Sequence, residues 1–98
     1  MANDITPAEL KVRLATEPDL IVIDVREPYE YAEQNIGAIN IPLGSLPAKL
    51  DDLEDYKDQE VIVHCRSGAR SASAKAFLEQ QGFKNVRNLL GGILAYNG

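Results

Sequence analysis

The chain has one cysteine, Cys65, followed at once by Arg66, and a second arginine, Arg70, stands just beyond Ser67, Gly68 and Ala69. A thiolate is a strong nucleophile, and guanidinium groups in the same small volume favour it over the thiol and attract anions. The flanking sequence predicts how this group is presented. Val61 to Val63 is a β-branched run, the mark of a buried strand. From Arg70 to Gln81 the residues are good helix formers, and Gly82 stands where a helix ends. The order is strand, cysteine, tight loop, helix, which aims successive backbone N–H groups and the positive end of a helix at the sulfur. Gly68 permits a positive φ inside the loop. Of the two nearby hydroxyls, Ser67 lies within the loop and is the expected donor, ahead of Ser71. A lone cysteine is most often an inert, buried apolar residue; the loop and its two arginines set this one apart.

With these residues in view, Cys65-Arg66-Ser67-Gly68-Ala69-Arg70-Ser71 resembles the active-site loop of the rhodanese family of sulfurtransferases. Asp24-Val25-Arg26-Glu27 with Tyr31 resembles that family's Asp-x-Arg segment, and Gly37 to Leu43 its next strand. Gly82-Phe83, Asn85-Val86 and Leu89 to Leu94 resemble its C-terminal strand and Gly-Gly turn. The matches run in family order over nearly the whole chain, so residues 1–98 are expected to form one rhodanese-like domain. The resemblance implies an α/β fold with a mostly parallel, five-stranded sheet and helices on both faces. It also implies Cys65 as the catalytic nucleophile, with Arg66, Ser67, Gly68, Ala69 and Arg70 binding the substrate. Two departures stand out. Asn35 replaces the family's usual histidine and no proline precedes Gly37, which changes the turn at the site entrance. Tyr96 stands where the family usually has tryptophan, in a packing role.

The remaining elements must position that loop. Thr6-Pro7-Ala8-Glu9 predicts a helix start with Thr6 as N-cap, Pro7 at N1 and Glu9 closing a capping box, while Ile5 and Leu10 are placed as a hydrophobic staple. Leu20 to Asp24 is a continuous apolar run ending in a carboxylate, the pattern of a strand covered on both faces. Asp24 and Arg26 then fall at a strand's carboxyl end, the edge where α/β sheets bind ligands, together with Cys65. Asp24 acts either as an acid or base or as a scaffold carboxylate holding loops; the resemblance favours the scaffold. Glu27 to Glu33 predicts a short helix opened by Pro28, Ala38 to Pro42 a short strand, and Ser45 caps a helix burying Leu46, Leu50 and Leu53. Asn85 to Leu89 is the last strand and Ile93 to Tyr96 begins the last helix. His64 is expected to point away from the sulfur, because adjacent strand residues face opposite sides.

Composition narrows the function class. Hydrophobic residues make up 45% of 98, normal for a folded domain with one small core. The net charge of −5 argues against nucleic acid and anionic membranes as partners. The charge is unevenly spread. Residues 1–60 carry five Lys/Arg and fourteen Asp/Glu, whereas residues 61–98 carry five Lys/Arg and one Glu, so the cysteine lies in the basic part of an acidic chain. The acidic run from Asp51 to Glu60 reads as solvated surface. No leader is read at the N-terminus, and one cysteine forms no internal disulfide, so a cytoplasmic location is expected. One Cys and one His are too few for a metal centre, and no cofactor is expected.

The chemistry this implies is sulfane-sulfur transfer through a Cys65 persulfide, from a small donor such as thiosulfate to cyanide, a thiol or a protein acceptor. Two rivals share the features. A cysteine-dependent phosphatase uses the same thiolate cradle but typically spaces Cys and Arg by five residues, against the four from Arg66 to Ala69 here. A sulfur-carrier or docking module would keep the cysteine and depend on a protein partner.

Overall fold

The structure is a computed structural model that describes residues 3–98; Met1 and Ala2, part of the start read as lacking a leader, lie outside the described residues. The elements follow in the order α1 (Pro7–Thr16), β1 (Ile21–Asp24), α2 (Pro28–Glu33), β2 (Ile39–Asn40), a 3-10 turn (Leu43–Ser45), α3 (Leu46–Lys49), a 3-10 helix (Leu50–Tyr56), β3 (Glu60–His64), α4 (Ala69–Gln80), β4 (Asn85–Asn88) and α5 (Gly92–Tyr96). The four strands are all parallel, in the order β2-β1-β3-β4. β1 and β3 are the inner pair, registered from Ile21 opposite Val61 to Asp24 opposite His64.

Side chains alternate across the sheet, as strand geometry requires. Ile21, Ile23, Val61, Val63 and Cys65 enter one buried cluster with Leu46, Leu53, Ala74, Leu78 and Phe83, which puts α3 and α4 on that face. Val22 and Ile62 enter the other with Ile5, Leu10 and Leu89, against which Tyr96 also packs, which puts α1 and α5 opposite. Both inner strands are therefore buried on both faces, the physical reason for their unbroken apolar runs. By the same alternation His64 lies on the Ile62 face, opposite Cys65.

Among the described residues the expected fifth strand does not form. Ile5 makes a single parallel bridge to Leu89, with its N–H on the Asn88 carbonyl at 3.0 Å and its own carbonyl accepting from Leu90 at 2.9 Å. Pairing stops there because Thr6 already caps α1 and Pro7 begins it.

Three caps differ from the sequence expectation. The Glu9 N–H reaches Thr6 Oγ1 at 3.2 Å, but the Glu9 carboxylate is bonded to Arg87 at 2.9 and 3.1 Å, so the box at α1 is half formed. A reciprocal box instead forms at α2, between Glu27 and Glu30. Ser45 makes no side-chain cap; it ends a 3-10 turn, and Leu46 and Leu53 reach the core from α3 and the 3-10 helix after it. The end of α4 follows expectation closely. The Phe83 N–H bonds the Leu78 carbonyl and the Gly82 N–H bonds the Glu79 carbonyl, the paired bonds of a Schellman motif, with Phe83 and Leu78 sharing the core.

At Asn35, where the turn departs from the family pattern, the side chain holds the turn itself. Its Nδ2 donates to the Tyr31 carbonyl at 3.0 Å and its Oδ1 accepts from the Gly37 N–H at 2.9 Å. The Tyr31 hydroxyl then ties the Ala38 carbonyl at 2.6 Å.

Candidate functional site

β3 delivers Cys65 at the carboxyl edge of the sheet, and α4 begins four residues later. Gly68 is the hinge between them. Its φ of 110° is a conformation that side-chain-bearing residues rarely adopt, and it turns the Gly68 N–H onto the Cys65 sulfur at 3.1 Å. The loop is fixed from behind by α5. The Ile93 N–H donates to the Cys65 carbonyl at 2.9 Å and the Leu94 N–H to the Arg66 carbonyl at 3.1 Å. That approach needs glycine at position 92, because a Cβ there would overlap the Arg66 carbonyl and lie 2.7 Å from the Cys65 oxygen.

Cys65 is 1% exposed, so its sulfur sits at the bottom of the loop. Burial pushes the thiol upward. The Ser71 hydroxyl, 3.3 Å from the sulfur, and the backbone N–H groups of Ser71, Gly68 and Ser67 outweigh it, and the net direction is down, toward thiolate. The hydroxyl beside the sulfur is therefore that of Ser71, and Ser67 contributes its backbone rather than its side chain. Ser71 is fully buried one turn into α4, on the side that faces back to the loop. Its Oγ also lies 2.5 Å from Asn88 Oδ1, at the end of β4.

The two arginines differ in their partners. Arg70 makes a two-pronged ion pair with Glu30 of α2, at 2.7 and 2.9 Å. The Arg70 side-chain bonds hold the Glu30 carboxyl down at about 2, helped by the Glu27 N–H, and Glu30 in turn raises Arg70 further. Arg66 is exposed and has no ion-pair partner among the described residues. It lines an open cleft of about 380 Å³ between α2 (Glu30, Glu33) and α5 (Ile93, Leu94), with Arg26 in its wall.

Asp24 and Arg26 lie beneath this edge. Asp24 is 0% and Arg26 4% exposed. Asp24 Oδ1 accepts from the Arg26 backbone N–H at 2.9 Å, its Oδ2 from Arg26 Nη2 at 2.8 Å, and the same nitrogen ties the Gln34 carbonyl at 2.6 Å. Asn40 Nδ2 bridges the Asp24 and Arg26 carbonyls. The pair thus fastens the loop after β1 to the end of α2 and to β2. His64 is fully buried nearby, with Nδ1 3.4 Å from the Cys65 carbonyl and Nε2 3.6 Å from Asp24 Oδ2. Burial pushes it below the ordinary histidine range, against the pull of Asp24. Among the described residues no group of three His, Cys, Asp or Glu is placed to hold a metal, and no helix is long and apolar enough to cross a membrane.

A strand-to-helix loop with a recessed cysteine, backed by a Gly-Gly turn, is accompanied by a family-wide sequence match. The pattern of the Rhodanese-like domain matches residues 6–98. The chain belongs to that family. Similar proteins of this rhodanese-like family include a protein of Allochromatium vinosum named "Sulfurtransferase", 41% identical over 98% of this chain and 89% of its own. YtwF of Bacillus subtilis, provisionally named a sulfurtransferase, is 42% identical over 98% of this chain and 91% of its own. Among solved structures, a rhodanese-related protein from Thermoplasma volcanium superposes with a TM-score of 0.83 at 36% identity, covering 97% of this chain and 90% of that one.

Sequence reasoning brought Cys65, the loop and the Asp24–Arg26 pair to one edge, where the structure places them. It gave Ser71 second place and missed Asn88 and Glu30. Asn88 had a usable signal, since it ends a strand at the same carboxyl edge as Asp24 and Cys65. Glu30 had none, because its partner lies forty residues away.

Proposed function

We propose that this domain is a sulfurtransferase that moves sulfane sulfur through a persulfide on Cys65. The Cys65 thiolate attacks the outer sulfur of thiosulfate or a related donor; the sulfur–sulfur bond of the donor breaks, sulfite leaves with the bonding pair, and the new outer sulfur carries the negative charge. An acceptor such as cyanide or a thiol then attacks that sulfur and releases the Cys65 thiolate. The loop N–H groups of Ser67 and Gly68, with Ala69 beginning the helix, form the cradle for the anionic sulfur, and Arg66 draws the donor in. Arg70, paired with Glu30, shapes the wall of the cradle. Asp24 and Arg26 support the site from below.

The observation that carries this reading is the Gly68 N–H at 3.1 Å from a cysteine sulfur at the floor of a four-residue loop. Such a ring fits one added sulfur atom better than a tetrahedral phosphoryl group. The names of the full-length relatives support the same reading. The test is mass spectrometry of the protein after incubation with thiosulfate and removal of small molecules. The expected result is a gain of one sulfur atom, its loss to cyanide as thiocyanate, and no gain in Cys65→Ser. An unchanged mass, in a protein whose Cys65 titrates as a thiolate, would overturn independent transfer from thiosulfate and favour a carrier served by a protein partner.

A further inference from the structure

The Ser71 hydroxyl has one proton and three acceptors around it: the Cys65 sulfur at 3.3 Å, the Gly68 carbonyl at 3.3 Å and Asn88 Oδ1 at 2.5 Å. A hydroxyl donates one hydrogen bond at a time, so these acceptors compete. The Gly68 carbonyl is already engaged by the Ala72 N–H at 3.0 Å and by Asn88 Nδ2 at 3.1 Å. The real contest is between the sulfur and Asn88. Asn88 does not rotate out of it. Its Nδ2 bond to Gly68 fixes which end of the amide faces Ser71, its backbone N–H is held by Asp4 at 3.1 Å, and its carbonyl is held by Ile5 at 3.0 Å.

We propose that Asn88 is a positioning residue for sulfur transfer, whose side-chain carbonyl competes with the Cys65 sulfur for the single Ser71 proton. The proposal rests on the sulfur-transfer reading and adds a moving part to it. While the charge is on the Cys65 sulfur, the Ser71 hydroxyl turns to it and leaves Asn88 Oδ1 without its donor. Once the persulfide has formed, the charge has moved to the outer sulfur and into reach of the loop N–H groups, and the hydroxyl returns to Asn88. When the acceptor attacks, negative charge reappears on the Cys65 sulfur as the sulfur–sulfur bond breaks, and the hydroxyl swings back. Because that turn costs the Asn88 hydrogen bond, Asn88 reduces the net stabilisation of the thiolate by Ser71 and keeps it more nucleophilic than it would be without the competing acceptor.

The sign of this effect separates it from scaffolding. Ser71→Ala removes the donor and raises the pH midpoint of Cys65 ionisation. Asn88→Leu, similar in shape but without an acceptor, frees the proton for the sulfur and lowers that midpoint by about half a pH unit, the scale of one neutral hydrogen bond. In the Ser71→Ala background the same Asn88→Leu change has under a third of its effect, because the two act through one contact. The other titratable and charged groups near the cluster are the same in every variant: Arg66 in the loop, Arg70 with Glu30 and Tyr29 at the mouth, Asp4 with Lys75 beside Asn88, and Asp24, Arg26 and His64 below.

The experiment is ultraviolet thiolate titration of the four proteins, with NMR of the wild type alongside. In the wild type the Asn88 side-chain carbonyl carbon should shift at the same pH midpoint as Cys65, because it loses its donor there. A carbonyl carbon that stays flat through the Cys65 midpoint would overturn the proposal, and so would an Asn88→Leu midpoint that rises or that moves equally with and without Ser71. The wild-type measurement stands even if Asn88→Leu does not fold. All of these readouts concern the thiolate before any sulfur is loaded, so their failure is distinct from a failure to gain mass with thiosulfate.

Discussion

The two ends of the parallel sheet carry similar numbers of charges and use them differently. At the amino end Arg13 lies between Glu17 and Glu60, and Arg87 between Glu9 and Glu60, all within 3.1 Å. Each guanidinium meets at least two carboxylates, and the side chains are partly exposed. Glu17 first and Glu60 second hold Arg13 raised, and Arg13 with Arg87 lowers Glu60. This end ties α1 to β3 and β4. At the carboxyl end the buried Asp24–Arg26 pair closes on itself, Arg70 is taken by Glu30, and what stays available is Arg66 with a row of backbone N–H groups aimed at one sulfur. A site is the place where charge and donors are held without being used up.

The largest expected effect comes from breaking the buried pair. Asp24→Ala leaves the Arg26 guanidinium buried without its carboxylate, and destabilises by about 3–5 kcal/mol, read as a lower urea midpoint. Wild-type stability with lost turnover would instead give Asp24 a part in the chemistry.

The arginines come next. Arg66→Ala should lower thiosulfate kcat/KM roughly tenfold, the scale of one charge-assisted contact. Arg70→Ala should cost only about two- to threefold, with Arg70→Lys between it and wild type, because Glu30 rather than the donor holds Arg70 and a lysine lacks the planar fork. The reverse ranking would mean that Arg70 leaves Glu30 to meet the substrate.

Acid should weaken the carboxyl end in two stages. His64 is depressed when folded, so the stability it contributes is complete above its unfolded value of about 6.5 and declines as pH falls below it. Glu30, held at about 2, contributes stability that is present above its unfolded value near 4.5 and is lost as pH falls from there toward 2. The melting temperature should therefore start to drop below about pH 6.5 and steepen below about 4.5, and Glu30→Gln should make the second stage shallower without abolishing it, because Glu60 is held down as well by Arg13 and Arg87. An equally steep second stage in both proteins would contradict the Glu30–Arg70 assignment.

The smallest effect belongs to the amino end. Glu60→Gln should lower stability by roughly 1 kcal/mol and leave sulfur uptake at the wild-type rate, since the arginines retain Glu9 and Glu17. Added salt should shrink this difference and barely touch that of Asp24→Ala, because exposed pairs are screened and buried ones are not.

Much of this molecule is local and was legible in the chain. Unbroken apolar runs at Leu20–Ile23 and Val61–Val63 state a strand buried on both faces, because each side chain of such a strand needs an apolar neighbour on its own side. Thr6, Gly68 and Gly82 act through bonds that span five residues or fewer, so their types alone report the caps and the loop. The resemblance carried the parallel α/β sheet but overstated it by one strand, since Ile5 has room for one bridge only before α1 starts.

What tertiary structure alone decided is which partners meet. Thr6 and Glu9 spell a capping box, yet Arg87 takes the Glu9 carboxylate, because a charge pair across the fold competes with a local hydrogen bond and here prevails. Arg66 and Arg70 read as equals, yet α2 packs Glu30 against one of them only. Ser67 and Ser71 read as rival donors, and the sulfur is reached by the one that the helix turns inward and β4 backs with Asn88. A sequence states the chemical capacity of each side chain and the geometry of its near neighbours. Which of those capacities is consumed within the fold and which is left for a substrate depends on contacts between residues distant in the chain, and these exist only once the sheet and its helices are packed.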